Sequence, residues 1–271
     1  MRIRVKNLLF ICLGLLALSS CGNFEKVRKS SDVNMKLTKA NEYYDKKEYM
    51  HANELYGDLK GVMKNTRNYE ALYYRYCYTF YYMKNYLEAS YYFKNFVEYF
   101  PNSKNTDECE FMHGVCLYKY SPKYSLDQTN TVKALEALQS FINTHPKSDK
   151  VAEANNYVDQ CRKKLEWKDA DAANLYYNIG QYKAASIAFK SVLHNYPESP
   201  NSDLYQYMIV KAMFKYAELS VTEKQEERYA NTINAYRELA DTYPHTKYLP
   251  EAEKLYSQAD ENVKKIRNEH K

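Results

Sequence analysis

The stretch Tyr182-Lys183-Ala184-Ala185-Ser186-Ile187-Ala188-Phe189, carried on to Pro197, decides the reading of the whole chain. An aromatic residue is followed by a small one three positions on, by an apolar ring or leucine four further, and by proline eight after that. Tyr86, Ala89, Phe93 and Pro101 repeat the spacing, as do Thr131, Ala134, Leu138 and Pro146, and again Tyr229, Thr232, Tyr236 and Pro244; Tyr49, Ala52 and Tyr56 form a first copy without the proline. Residues at i, i+3 and i+7 share one helical face, and proline cannot donate the backbone hydrogen bond that would continue the helix. Five copies predict an array of amphipathic helices.

A second helix precedes three of the copies, marked by a small residue twelve positions before the repeat alanine and a ring nine before it: Ala40 and Tyr43, Cys77 and Phe80, Ala173 and Tyr176. Between the two helices stand Asp45-Lys46-Lys47-Glu48, Met83-Lys84-Asn85 and Asn178-Ile179-Gly180-Gln181. Turns this short make the helices antiparallel neighbours, and Gly180 suits a left-handed helix end. No strand-like alternation appears, so the expected class is all-α. Helix pairs with these offsets, closed by proline, resemble the tetratricopeptide repeat, whose usual period is about 34 residues. Here the repeat positions fall at intervals of 37, 45, 51 and 47 from Ala52. The surplus is expected in a loop at 119–130, in one extended helix or two nearly continuous ones over 149–178, and in a lengthened turn at 219–227. A last helix, Tyr248 to Arg267, starts apolar with Ala252, Leu255 and Tyr256 and turns polar, as a capping helix does.

The amino terminus stands apart. Arg2, Arg4 and Lys6 precede an apolar run from Leu8 to Leu18, which ends in Leu18-Ser19-Ser20-Cys21. This resembles a bacterial lipoprotein signal with its lipobox, which implies cleavage before Cys21 and acylation there. Eleven apolar residues are too few to span roughly 30 Å of hydrocarbon. The expected division is therefore a signal at 1–20, a lipidated tether at 21–33 that reads as polar from Asn23 to Asp32, amino-terminal repeats at 34–147, and carboxy-terminal repeats with the cap at 148–271.

Loss of the leader removes three basic groups and lowers the net charge from +5 to +2, too weak and too interspersed for nucleic-acid binding. Cys77, Cys109, Cys116 and Cys161 remain; Cys109 and Cys116, seven positions apart on one helix, are about 10.5 Å apart by rise and cannot bridge each other. They read as small core side chains, with a disulfide among the four as the alternative. The six histidines are scattered over different repeats, and no zinc, nucleophile or phosphate-loop motif is present, so neither an enzyme nor a cofactor is expected.

The lipobox, about five irregular repeats, and repeat ends reading Phe100-Pro101-Asn102-Ser103, His145-Pro146-Lys147-Ser148, Tyr196-Pro197-Glu198-Ser199 and Tyr243-Pro244-His245-Thr246 together resemble the BamD-like lipoproteins of the outer-membrane β-barrel assembly machine. The run from Pro101 through Ser103 and Thr106 to Glu108 passes into the next helix in the same way. The resemblance implies a non-enzymatic scaffold, anchored by lipid in the outer membrane and facing the periplasm. Its carboxy-terminal repeats would hold the periplasmic linker domains of a BamA-like barrel subunit, and its amino-terminal repeats would receive the aromatic-rich targeting segment of unfolded barrel precursors. Stacked helix pairs present their first helices on the concave face. There the outward positions are Asn41, Tyr44, Tyr74, Tyr78, Tyr81 and Tyr82, a candidate peptide groove in a chain with 31 tyrosines. A repeat lipoprotein serving a pilus, secretion or gliding system is the alternative, with a glycan-binding lipoprotein behind it.

Overall fold

The computed structural model describes residues 23–269, so the leader and Cys21 lie outside the described residues. After α1, helical over 23–29, the pairs are α2 (Val33–Asp45) with α3 (Tyr49–Val62), α4 (Tyr69–Tyr82) with α5 (Tyr86–Tyr99), α6 (Thr106–Tyr120) with α7 (Thr129–Thr144), α8 (Val151–Asn178) with α9 (Tyr182–Asn195), and α10 (Ser202–Glu218) with α11 (Thr222–Thr242); α12 (Leu249–Glu269) closes the array. Every regular element among the described residues is a helix, and the class is all-α, a tetratricopeptide-type array. No helix among them is long and apolar enough to cross a membrane.

The turns within three pairs are built alike. Lys47, Lys84 and Gly180 take positive φ of 63°, 63° and 77°. Each turn folds back through the two hydrogen bonds of a left-handed helix end: Glu48 N–H to Tyr43 O and Lys47 N–H to Tyr44 O, Asn85 to Phe80 and Lys84 to Tyr81, Gln181 to Tyr176 and Gly180 to Tyr177, all at 2.8–3.0 Å. Where the helices cross, Ala40, Cys77 and Ala173 have no exposed surface. Tyr176, the ring expected to pack beside Ala173, is 43% exposed. In the third pair the small residue is Gly114, where a Cβ would come within 2.7 Å of Leu138 Cγ. Only a glycine lets α6 and α7 approach this closely.

The proline-x-serine/threonine ends are inter-repeat clamps. Ser103 Oγ accepts the Asn105 N–H at 3.0 Å and donates to Glu70 Oε1 of α4 at 2.6 Å. Ser199 does the same between the Asn201 N–H, at 3.0 Å, and Glu166 Oε1 of α8, at 2.5 Å. Thr246 donates to Asp203 Oδ2 of α10 at 2.7 Å. At the remaining end His145 sits 3.2 Å from Asp107 and 2.8 Å from Glu110. Proline stops one helix, and the hydroxyl two residues later starts the next while tying it to the repeat before.

The chain divides into two compact units, one reaching Ser121 and including Thr129–Val158, the other made of Pro122–Gln128 and the residues from Asp159 on. The division falls at 158/159, inside α8, rather than at the expected 147/148; α8 itself is one unbroken helix of 28 residues, Val151–Asn178. The first unit has a single core rich in rings, with Tyr56, Tyr73, Phe93, Phe96 and Phe141 below 2% exposure. Each such ring removes roughly 200 Å² from water, on the order of 5 kcal/mol before the entropy of ordering is subtracted. The second unit buries two smaller clusters around Phe189, Ile209 and Leu239 and around Phe214, Tyr229 and Val263.

Two expectations are corrected. Residues 23–29, within the stretch expected as a polar tether, are helical, and Phe24 (6% exposed) stacks on His51 at 4.2 Å and meets Tyr43 edge-on at 5.8 Å. The surplus at 219–227 lies mostly inside α11, which has 21 residues. Glu223, Lys224, Gln225, Glu226, Glu227 and Arg228 are strong helix formers and extend that helix at its start. The loop expected at 119–130 is present as 121–128 between α6 and α7.

Candidate peptide-binding face

Tyr74, Tyr78, Tyr81 and Tyr82 recur at spacings that keep them on one side of α4, next to Asn41 and Tyr44 of α2. The rings form a continuous set. Tyr82 stacks on Tyr49 at 4.5 Å and lies 6.3 Å from Tyr44 and 5.7 Å from Tyr78, while Tyr81 joins Tyr78 at 6.2 Å and Tyr86 at 5.8 Å. Edge-to-face and offset geometries prevail, the arrangements a ring quadrupole favours.

Their polar ends are held. Glu108, from α6, accepts the Tyr78 hydroxyl at 2.5 Å on one oxygen and the Tyr74 hydroxyl at 2.8 Å on the other. Burial, and then this carboxylate, pushes both phenols well above the ordinary tyrosine value. Asn41 Oδ1 accepts the hydroxyl of buried Tyr56 at 2.8 Å. Arg75 ion-pairs with Asp45 at 3.0 Å and lies 5.0 Å above the Tyr44 ring, and Lys119 lies 5.9 Å from Tyr81 and 5.8 Å from Tyr86. Burial pushes the Tyr44 phenol up, although Arg75 opposes the shift.

The six residues named from the sequence are therefore together, but not equally presented. Tyr82 is 44% exposed, Tyr44, Tyr74, Tyr81 and Asn41 are half-buried, and Tyr78, at 8%, is a floor residue whose hydroxyl is already used. Cys21 lies outside the described residues. Glu108, Arg75 and Lys119 complete the face and were not singled out as site residues, although Glu108 ends the Pro101–Glu108 run. What results is a pre-set aromatic shelf with two cations at its margins. It can stack rings, with Arg75 already paired to Asp45 and Lys119 beside Tyr81 and Tyr86.

The second unit offers a different concavity. A cavity of about 380 Å³ is lined by Trp167, Tyr196, Pro197 and Pro200 together with Arg162 and Lys163. Trp167, the chain's single tryptophan, is 39% exposed, meets Tyr124 edge-on at 5.5 Å and lies 5.1 Å from the Lys163 ammonium. Behind it Glu166, 6% exposed, accepts Ser199, Tyr205 at 2.7 Å and Asn201 at 3.4 Å. Cys77, Cys109, Cys116 and Cys161 are all buried and free, and among the described residues no three His, Cys, Asp or Glu side chains come together to hold a metal ion.

The protein assigned as outer membrane protein assembly factor BamD in Aquifex aeolicus is 25% identical over 239 residues, covering 85% of this chain and 74% of that one. BamD of Caulobacter vibrioides is 22% identical over 135 residues, half of this chain and 44% of its own length. Among solved structures, the TPR2AB-domain–pHSP90 complex of yeast Sti1 aligns over 84% of this chain and 98% of its own, with 15% identity and a TM-score of 0.39, and the apo form of RapI over 87% and 99%, with 14% and 0.34. The YfiO family, outer membrane lipoproteins, matches residues 30–200 and again 169–265. With nearly all of the helix array inside those matches, the chain belongs to the YfiO family of outer membrane lipoproteins.

Proposed function

We propose that this protein is a non-catalytic assembly factor for outer-membrane β-barrel proteins, anchored through an acylated Cys21 and facing the periplasm. The observation that carries the reading is the aromatic shelf of α2 and α4, set within a chain whose relatives bear the assembly-factor name. Rings fixed by neighbours and by Glu108 lose little entropy when a partner stacks on them, which suits capture of an extended, aromatic-rich precursor segment. The Trp167 cavity of the second unit is the counterpart for a folded partner, a BamA-like barrel subunit with periplasmic linker domains. A tryptophan and a tyrosine beside an arginine form the composition in which binding energy concentrates.

The test is co-purification. A carboxy-terminally tagged chain, solubilised in mild detergent, is expected to bring down a large barrel protein with periplasmic repeats in near-equal amount, and its depletion is expected to lower many outer-membrane barrels together. Recovery of pilus, secretion or motility components without that barrel would overturn the reading.

A further inference from the structure

The direction of α1 fixes where the anchor leaves the first unit. Phe24 stacks on His51, at the start of α3, and Arg28, one turn further along α1, ion-pairs with Glu54 one turn further along α3, at 3.3 Å. The chain then turns back, and Lys36, early in α2, faces Asp58 near the end of α3 at 3.6 Å. So α1 descends alongside α3 from the edge that carries the within-pair turns 45–48 and 83–85. Cys21, three residues before Phe24, can lie at most about 11 Å from it. The opposite edge is about 21 Å away, the length of a 14-residue helix such as α3 or α5.

Composition alone does not choose between the edges. Met50 (66% exposed) and Leu87 (45%) stand at the first edge beside exposed Lys46, Lys47 and Lys84, while Val62 (67%) and Tyr99 (54%) stand at the other with Lys64 and Lys104. The exit of α1 does choose. One detail agrees with it: the left-handed turn position that is Gly180 in the second unit is lysine in both turns of this edge, Lys47 and Lys84. Glycine would adopt that conformation more readily.

Resting on the acylated Cys21 proposed above, we infer that this edge of the first unit lies on the phospholipid surface that holds the anchor. Met50 and Leu87 enter the headgroup boundary, and Lys46, Lys47 and Lys84 meet lipid phosphates. Acyl chains bring Cys21 to the leaflet, so the edge within its reach is carried there as well. Apolar side chains flanked by lysines are the composition that an anionic surface retains.

The experiment uses the full mature, acylated chain carrying Trp167→Phe and one new tryptophan, Met50→Trp, Leu87→Trp or Tyr99→Trp, reconstituted into phosphatidylethanolamine–phosphatidylglycerol vesicles with brominated acyl chains. All three sites are exposed, and far-UV circular dichroism verifies the fold. Loss of emission at positions 50 and 87 but not at 99 is expected, with the loss at 87 diminished by combined Lys46→Glu, Lys47→Glu and Lys84→Glu. Bound, acylated protein that shows no loss at 50 and 87, or as much at 99, overturns the inference and leaves the anchor standing. A mass spectrum without acyl groups on Cys21 overturns the anchor instead, and this inference with it.

Discussion

Glu108 in the first unit and Glu166 in the second are both carboxylates that receive tyrosine hydroxyls from a neighbouring helix, yet they do different work. Glu108 is half-buried and takes two phenols from α4, so it steadies a surface. Glu166 is 6% exposed and takes a serine, an asparagine and a tyrosine from the next repeat, so it closes a joint. Burial, more than the number of bonds, separates the two roles. Water can reach the half-buried Glu108 carboxylate more readily than Glu166 and the Tyr205 hydroxyl it receives.

The largest contrast between the units is expected in alkali. Burial pushes the Tyr56 phenol up to about 12, and raises Tyr44, Tyr73, Tyr74, Tyr76 and Tyr78 strongly as well, all in the first unit, against Tyr196, Tyr205 and Tyr207 in the second. A phenol whose folded value is raised contributes stability that is fully present below the ordinary value of 10 and is lost as pH climbs toward the folded one, about 3 kcal/mol for Tyr56 alone. Between pH 10 and 12 the first unit should therefore unfold, with phenolate absorbance rising as helicity falls. Emission from Trp167, in the second unit, should lag; coincident transitions would break the contrast.

Glu166→Ala strands the buried Tyr205 hydroxyl and is expected to cost about 3 kcal/mol, read from the urea midpoint of Trp167 emission. Glu108→Ala is expected to cost only about 1 kcal/mol. It should also lower the titration of Tyr74 and Tyr78, since Glu108 adds to the burial that raises them. Equal costs at the two positions would remove burial as the deciding variable. The smallest effect carries the opposite sign: Lys84→Gly relieves a left-handed backbone at φ 63° and should stabilise the first unit by about 0.5 kcal/mol in thermal unfolding.

How much of this was legible follows from what is local. The pairs, the long helix over 149–178 and the 121–128 loop could be read because helical periodicity and proline placement act within a few residues. Gly114 escaped the pattern because the 121–128 loop puts it twenty positions before Ala134, where the other copies have twelve. The start of α11 reads as turn in the sequence because its run of charges has no apolar stripe to betray a helix, although propensity favours one. Of the shelf, the tyrosines could be named from α2 and α4 alone. Their acceptor could not, since Glu108 lies 30 residues from Tyr78 and 34 from Tyr74, and only the stacking of repeats brings it there.

The four buried thiols supply a built-in footprint of local opening. Burial raises Cys116 to about 12 and Cys161 to about 11, and pushes Cys77 and Cys109 up as well. A thiol at about 11 is ionised in roughly one molecule in ten thousand at neutral pH, so alkylation of the native chain has to wait for helices to part. Cys77, Cys109 and Cys116 clock that parting in the first unit, and Cys161 clocks it in the second. Two rates from one labelling time course, without any introduced probe, would report the opening of each half separately.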